Sequence, residues 1–414
     1  MTFKLPGYDT IQPALNGRDA RDARLTLSLS GTNLERAGDY NQRIVLQAIR
    51  LAEETTRSEL ARVTGLTSPT IANITKRLMD LGLIKPAGRL QGRRGQPAMR
   101  IVINPDGAFS IGLNIDRDHI TLIALDLAGK IRSRQSCEIA FALPGTVAEY
   151  IRKVLPQLLE EGGLDRSRIL GVGVALPDDL GQISLPHRPQ EYDAWNGIDL
   201  RELLHEVMPW PLYADNDAAS AALGEANLGN GIELPSFFYL LISAGLGGGL
   251  VIDRTYVRGA DSRSGEIWAM PDPARGAGAN VQDTVSLSAI YARLEAAGHA
   301  VERPSALLND SSPEKMAIIE EWLDDAAAAL VQPLIAVNCL INPSAIVIGG
   351  RLPGRLADAL VERLNDRMAT FSLPAIAPVR RGETADDASA IGAAIIPFLD
   401  TVLPSESILM QAGR

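Results

Sequence analysis

Apolar residues at 71, 74, 78 and 81 recur at spacings of three, four and three, which predicts an amphipathic helix with one buried stripe. Its opposite face carries Thr70, Asn73, Lys76 and Arg77. A shorter helix is expected at residues 58–63, followed by a turn at Thr64-Gly65-Leu66. Ser68 is placed to cap the second helix, with Pro69 at its first position, where a missing N–H costs nothing. Downstream, Lys85, Arg89, Arg93, Arg94 and Arg100 surround Gly88, Gly92 and Gly95, and an apolar run follows at 101–103. This pattern predicts a basic, glycine-rich hairpin. Helix, turn, helix and hairpin together read as a winged helix-turn-helix over residues 39–105 that binds double-stranded DNA. The second helix enters a major groove and the wing lies along phosphates or in a minor groove. A small helical domain with a solvated basic loop is the plainer alternative, but turn, cap, stripe and wing all favour DNA. The expected DNA-facing residues are Ser68, Thr70, Asn73, Lys76, Arg77, Arg89, Arg93 and Arg94.

Beyond residue 105 apolar runs alternate with helical periodicity. Strands at 110–115 and 120–127 pair as a hairpin, followed by a strand at 131–139, a helix at 147–161 and strands at 169–176 and 212–215. Asn216-Asp217 then opens a helix. The unit repeats as a second hairpin, 237–243 and 250–257, around residues 244–249, and helices at 283–297, 313–340 and 353–370 flank a strand at 345–348. Two similar α/β lobes with a ligand cleft between them are expected. The first comprises 106–214 with 386–414, and the second 215–385; residues 1–38 show little periodicity and read as a flexible arm. Residues 326–350 carry no charge and are long enough to span a bilayer, but Gln332, Pro333, Asn338, Asn342 and Pro343 interrupt them. A buried helix, a turn and a buried strand explain them better than a membrane span.

Charge sharpens this division. Residues 39–105 hold 11 Lys and Arg against 5 Asp and Glu, whereas residues 106–414 hold 24 against 41. A basic module on an acidic body directs a polyanion to one end of the molecule. Cys137 and Cys339 have no pairing pattern, and the four histidines form no metal-ligand spacing with them. With no apolar signal core at the N-terminus, the expected location is the cytoplasm.

Several segments then carry a likeness. Gly31-Thr-Asn-Leu34 and Asn41-Gln-Arg-Ile44 precede the helices, and Gly95-Gln-Pro97 lies in the wing. Asn216-Asp-Ala218 with Ala221-Ala-Leu-Gly-Glu225, Ser264-Gly-Glu-Ile267 and Ile341-Asn-Pro-Ser-Ala-Ile-Val-Ile-Gly-Gly350 follow in order. In that order they resemble the ROK family of repressors, open reading frames and sugar kinases, from about residue 31 to 400. The resemblance implies an α/β body with an actin-like, ribonuclease H-like, two-lobed sugar-kinase fold.

It also implies which chemistry is lost. The family's phosphate hairpin, Asp-x-Gly-Gly-Thr, is here Asn114-Ile-Asp-Arg-Asp118. Side chains and two negative charges replace the glycines that let backbone N–H groups approach a phosphate. The second phosphate loop, 243–249, keeps its glycines but has Ala244 where a threonine hydroxyl is expected. The family's zinc ligands, one His and three Cys, are all absent from 268–283, so no zinc and no other cofactor is expected. Asp217 matches the family's catalytic base, and Asn216 and Glu266 match sugar contacts. A further family glutamate falls on Gln282 or Asp283, and Asp283 joins Asn216, Asp217 and Glu266 as the expected ligand set. By residue type alone, Asn216-Asp217 is a helix cap and Glu266 a solvated turn residue; the resemblance favours a carbohydrate. Trp268, beside Glu266, could stack on a sugar ring, and His187 could reach a ligand. The expectation is a sugar-responsive regulator, a repressor of carbohydrate uptake or catabolism genes. It would act on operator DNA as a homodimer or dimer of dimers, without enzymatic activity. The alternatives are an active ATP-dependent sugar kinase with an added DNA-binding domain, and a DNA-binding protein without a small ligand.

Overall fold

The computed structural model describes residues 34–89, 98–182, 188–309 and 312–405. Arg93, Arg94, the Gly95-Gln-Pro97 segment, His187 and residues 1–33 lie outside them, as does the side chain of Arg89. Helix α1 (Leu34–Leu51) begins inside the segment expected to be an arm. It is followed by α2 (Arg57–Thr64) and α3 (Ser68–Asp80). Gly65 closes α2 in the left-handed region at φ 70°, where an N–H returns to Ala61 O. The cap of α3 is Thr67, not Ser68. The extended backbone falls at Thr67 (φ −67°, ψ 152°), so its hydroxyl is the one that accepts from Thr70 N. The buried stripe is also displaced. Ile71 and Leu78 are buried, but Thr75 takes the position expected of Ile74, which is half-buried. Thr75 tolerates this because its hydroxyl donates to Ile71 O at 2.8 Å and accepts from Arg57 Nε at 2.9 Å. Strands β1 (Ile84–Arg89) and β2 (Met99–Ile103) pair antiparallel as the base of the wing.

The body starts with β3 (Phe109–Ile115), β4 (His119–Asp126) and β5 (Ile131–Glu138). Then come α4 (Pro144–Gly162), β6 (Ile169–Leu176), α5 (Leu200–Leu204) and β7 (Leu212–Asn216). The first sheet has the order β5-β4-β3-β6-β7, an antiparallel meander extended by two parallel strands. Helix α6 (Asp217–Leu228) leads to β8 (Phe237–Ile242), β9 (Leu246–Ile252) and β10 (Thr255–Tyr256). After α7 (Leu287–Ala296) and α8 (Pro313–Ile341) come β11 (Ala345–Gly350), α9 (Gly354–Met368), β12 (Val379–Arg381) and α10 (Ala388–Thr401). The second sheet, β10-β9-β8-β11-β12, repeats the plan: a hairpin, then parallel strands beside its first member.

The second hairpin departs from expectation. Its turn is short, and the glycines expected in a loop lie inside β9. They make room for neighbours. A Cβ on Gly247 would stand 2.7 Å from Ala218 Cβ, and one on Gly249 2.5 Å from Ala222 Cβ. Helix α6 can thus lie directly on the strand. The helix expected from residue 283 is a 3-10 turn, Val281–Asp283, and α7 starts later behind the Ser286 cap. Helix α8 is long and apolar enough to cross a membrane by length and composition. Here its Ile319, Trp322, Leu323, Leu330 and Leu334 fill the core of the second lobe, and Asn342 ends it in the left-handed region.

The winged helix does not stand apart. Val45, Leu46, Ile49, Leu60, Ile71 and Leu78 share one buried apolar cluster with Ile123 and Leu125 of β4 and with Ile395 and Phe398 of α10.

Candidate ligand cleft and DNA-reading face

At the carboxyl ends of β6 and β7 the chain opens a cavity of about 430 Å³ that both lobes line. Asn216 ends β7 and caps α6, its Oδ1 accepting from Ala218 N at 2.9 Å and Ala219 N at 3.1 Å. Asp217, the first residue of α6, faces the cavity and is 6 % exposed. Burial, with the charge of Asp116, pushes its carboxyl up to about 7, and Arg117 opposes the rise. Across the cavity, Trp268 Nε1 donates to Glu266 Oε2, so the indole orients that carboxylate. Gln282 and Asp283 both line the cavity. Gln282 Oε1 accepts from Leu246 N at 3.0 Å, while Asp283 Oδ2 accepts from Asn280 N at 2.8 Å. Asn216, Asp217, Glu266, Gln282 and Asp283 are therefore brought together, although residues 217 and 266 lie about 50 positions apart in the chain.

Sequence reasoning missed Asp178 and Arg263, and saw Arg117 only as a lost glycine. Asp178 follows β6, and burial raises its carboxyl while Arg263 opposes the rise. Arg263 pairs with Asp179 at 2.6 Å. The available signal was a Pro177-Asp-Asp179 step directly after an apolar strand, the usual ligand end of such a sheet. Arg117 lies between the cavity and a second one of about 990 Å³. Asp116 Oδ1 accepts from Arg117 N at 2.7 Å and lies 3.4 Å from its Nη1. The guanidinium reaches the glycine turn, where a Cβ on Gly245 would stand 2.8 Å from Arg117 Nη1. Arg351, after β11, donates to Asp118 Oδ2 at 2.9 Å and to Glu138, joining the lobes at the rim of the second cavity.

Among the described residues, one group of potential metal ligands converges: Asp116, Asp118 and His119. Arg117, on Asp116, and Arg351, on Asp118, neutralise it. The stretch from Trp268 to Asp283 does not fit zinc either. Its Asp272 accepts from Ala274 N and Thr284 Oγ1, and thiolate and imidazole donors are missing. Trp195 and Trp210 donate to Ala142 O and Arg166 O and serve packing, whereas Trp268 lines the cleft.

On α3, Ser68, Asn73, Lys76 and Arg77 are exposed on the face away from the core, and Thr70 is half-exposed. Arg100 pairs instead with Glu54 at 2.7 Å.

A sequence profile described as the ROK family matches residues 110–397, and a profile for winged helix-turn-helix DNA-binding matches residues 39–85. A xylose repressor of Caldicellulosiruptor bescii is 25% identical over 231 residues, 55% of this chain and 57% of that protein. The match thus spans less than two thirds of the repressor's length. A glucokinase of Halalkalibacterium halodurans is 24% identical over 314 residues, 68% of this chain and 92% of its own. The crystal structure of a ROK family transcriptional regulator, a homologue of the E. coli MLC protein, superposes with a TM-score of 0.63. It is 20% identical, and the superposition covers 91% of this chain and 98% of that one. The fold is thus a winged helix-turn-helix followed by the two-lobed α/β body seen in that regulator.

Proposed function

Because this chain belongs to the ROK family, we propose that it is a sugar-responsive, DNA-binding repressor. One observation carries the reading: the same chain joins an exposed, basic recognition helix to a carboxylate-lined cleft whose phosphate side is occupied by Arg117. In this reading a sugar lies between the lobes. Asp217 and Glu266 accept its hydroxyls, Asn216 and Asp283 flank it, and Trp268 offers a ring face. Closure of the lobes on the sugar favours one arrangement of the winged helices over the other, and operator affinity changes accordingly. Ser68, Thr70, Asn73, Lys76 and Arg77 face the major groove, with Arg89, Arg93 and Arg94 on the wing. The repressor acts in the cytoplasm on genes of carbohydrate uptake or catabolism, as a homodimer or a dimer of dimers on paired half-sites.

The kinase reading meets a physical obstacle. A nucleotide in the second cavity would have to deliver its phosphate past Arg117 and the carboxylates of Asp116 and Asp118. Two tests separate the readings. A panel of sugars is screened by thermal shift, since a ligand of the folded state raises its melting temperature. Each hit is then titrated into protein bound to a duplex enriched from a random-sequence pool, with anisotropy as the readout. At least one sugar is expected to stabilise the protein and change DNA affinity. A panel that moves neither quantity overturns the reading, and sugar-dependent ATP hydrolysis decides for the kinase.

A further inference from the structure

Helix α1 meets the body at the C-terminal end of α10 and at the β4–β5 turn. Arg43, only 3 % exposed, donates from Nη1 to Leu399 O at 3.3 Å, Asp400 O at 2.9 Å and Leu403 O at 3.2 Å. These carbonyls lie at the end of α10, where a helix has no partners of its own and its dipole is negative. Two turns further along α1, Arg50 reaches the β4–β5 turn. A Cβ on Gly129 there would stand 2.8 Å from Arg50 Nη2 and 2.4 Å from Cδ2 of Leu228, the last residue of α6. Seven residues apart, Arg43 and Arg50 share one face of α1, roughly 10 Å from each other. One therefore marks the end of α10 and the other the β4–β5 turn, on which the last residue of α6 also packs.

These two helices belong to different sheets and press backbone on backbone. A Cβ on Gly112 would lie 1.9 Å from Ala390 O, and one on Gly173 1.8 Å from Ala393 O, so α10 is seated on the first sheet. Helix α6 is seated on the second through Gly247 and Gly249. Where they meet, a Cβ on Gly392 would lie 1.5 Å from Ser220 O. At that contact no side chain intervenes to absorb a shift, and close-packed interfaces move in discrete steps. The first residue of α6 is Asp217.

We propose that α1 is a lever: Arg43 fixes it to α10, Arg50 follows the end of α6 through the β4–β5 turn that both touch, and a slide of α6 along α10 tilts the DNA-reading head. The proposal rests on the reading of the cleft as an effector site, but coupling is reciprocal, so it can be tested from the DNA side without knowing the sugar. The probe is the duplex enriched by the full-length protein, and the readout is hydrogen exchange of the amides of Asp217–Leu228. Binding of this duplex to the parent is expected to change their exchange rates by about fivefold or more, in line with ordinary allosteric coupling. Arg43→Met and Arg50→Met are expected to bind the duplex within about threefold of the parent and to reduce that exchange response to under about twofold. Arg43→Lys keeps one donor to the same carbonyls; it serves if the methionine variant does not fold, and is expected to give an intermediate response. A parent whose α6 ignores DNA overturns the lever, and so does a folded variant that responds as the parent does. Failure of every sugar to bind, with the exchange response intact, removes the sugar reading and leaves the lever standing.

Discussion

At Asp217 two demands meet: the residue starts a helix and faces a cavity crowded with carboxylates. Its carboxyl is pushed from 3.8 to about 7, chiefly by burial. A raised carboxyl gives stability that is full below its unfolded value and is lost as pH climbs through the folded one. Asp217→Asn is therefore expected to melt above the parent at pH 8, with the gap closing toward pH 5 in calorimetric scans. An equal gap at both pH values would show that the carboxyl titrates normally. The same variant, and Glu266→Ala, are expected to weaken the best sugar by about 1.5–3 kcal/mol, or roughly 10- to 150-fold, in titration calorimetry. Operator affinity without sugar is expected to stay nearly unchanged. Unaltered sugar affinity in both variants would move the pocket elsewhere. These acidic residues were legible because a helix opening and a Gly-Glu turn are local patterns. Arg117, Asp178 and Arg263 were not, because only the closing of two lobes brings them to one wall. Thr67 and Ser68 show a finer limit: two neighbouring hydroxyls are equivalent in sequence, and the backbone dihedrals choose the cap.

The elements were readable wherever one face alone meets water. The stripe of α3 located the recognition helix, and its exposed face supports a prediction. Asn73→Ala is expected to relax sequence preference, since an amide reads adenine in the major groove. Lys76→Ala with Arg77→Ala is expected to weaken binding to all duplexes. The plot of log affinity against log salt is expected to flatten by about 0.9 for each phosphate no longer neutralised. An unchanged slope would take that face off the DNA. The glycines of β9 were misread as a turn because Ala218 and Ala222, the helix residues that lie on Gly247 and Gly249, are 29 and 27 residues away in the chain. Gly249→Ala, which places a methyl 2.5 Å from Ala222 Cβ, is expected to cost about 1–3 kcal/mol in denaturant unfolding. A neutral substitution would mean that α6 is not seated as described.

At the scale of the molecule, the repeated hairpin-and-parallel-strand unit made two lobes visible from pattern alone. The missing thiols and imidazole between residues 268 and 283 carry a simple expectation. Elemental analysis of protein purified without chelator is expected to find far less than one zinc per chain, and one tightly held zinc per chain would mean that the loop has been misunderstood. What pattern did not reveal is how the head joins the body. Arg43 looks like an ordinary surface cation in a basic segment, and its partners lie more than 350 residues away.

That junction bears on how such proteins can be taken apart. Ile123, Leu125, Ile395 and Phe398 share one buried apolar cluster with residues of the winged helix. A body cut free at residue 105 would lose part of that cluster, and the excised head would lose the carbonyls at the end of α10 that hold Arg43. Chimeras that swap reading heads between relatives to redirect them to new promoters would therefore have to carry the seam with the head, including a cation at position 43 and the carbonyls that receive it.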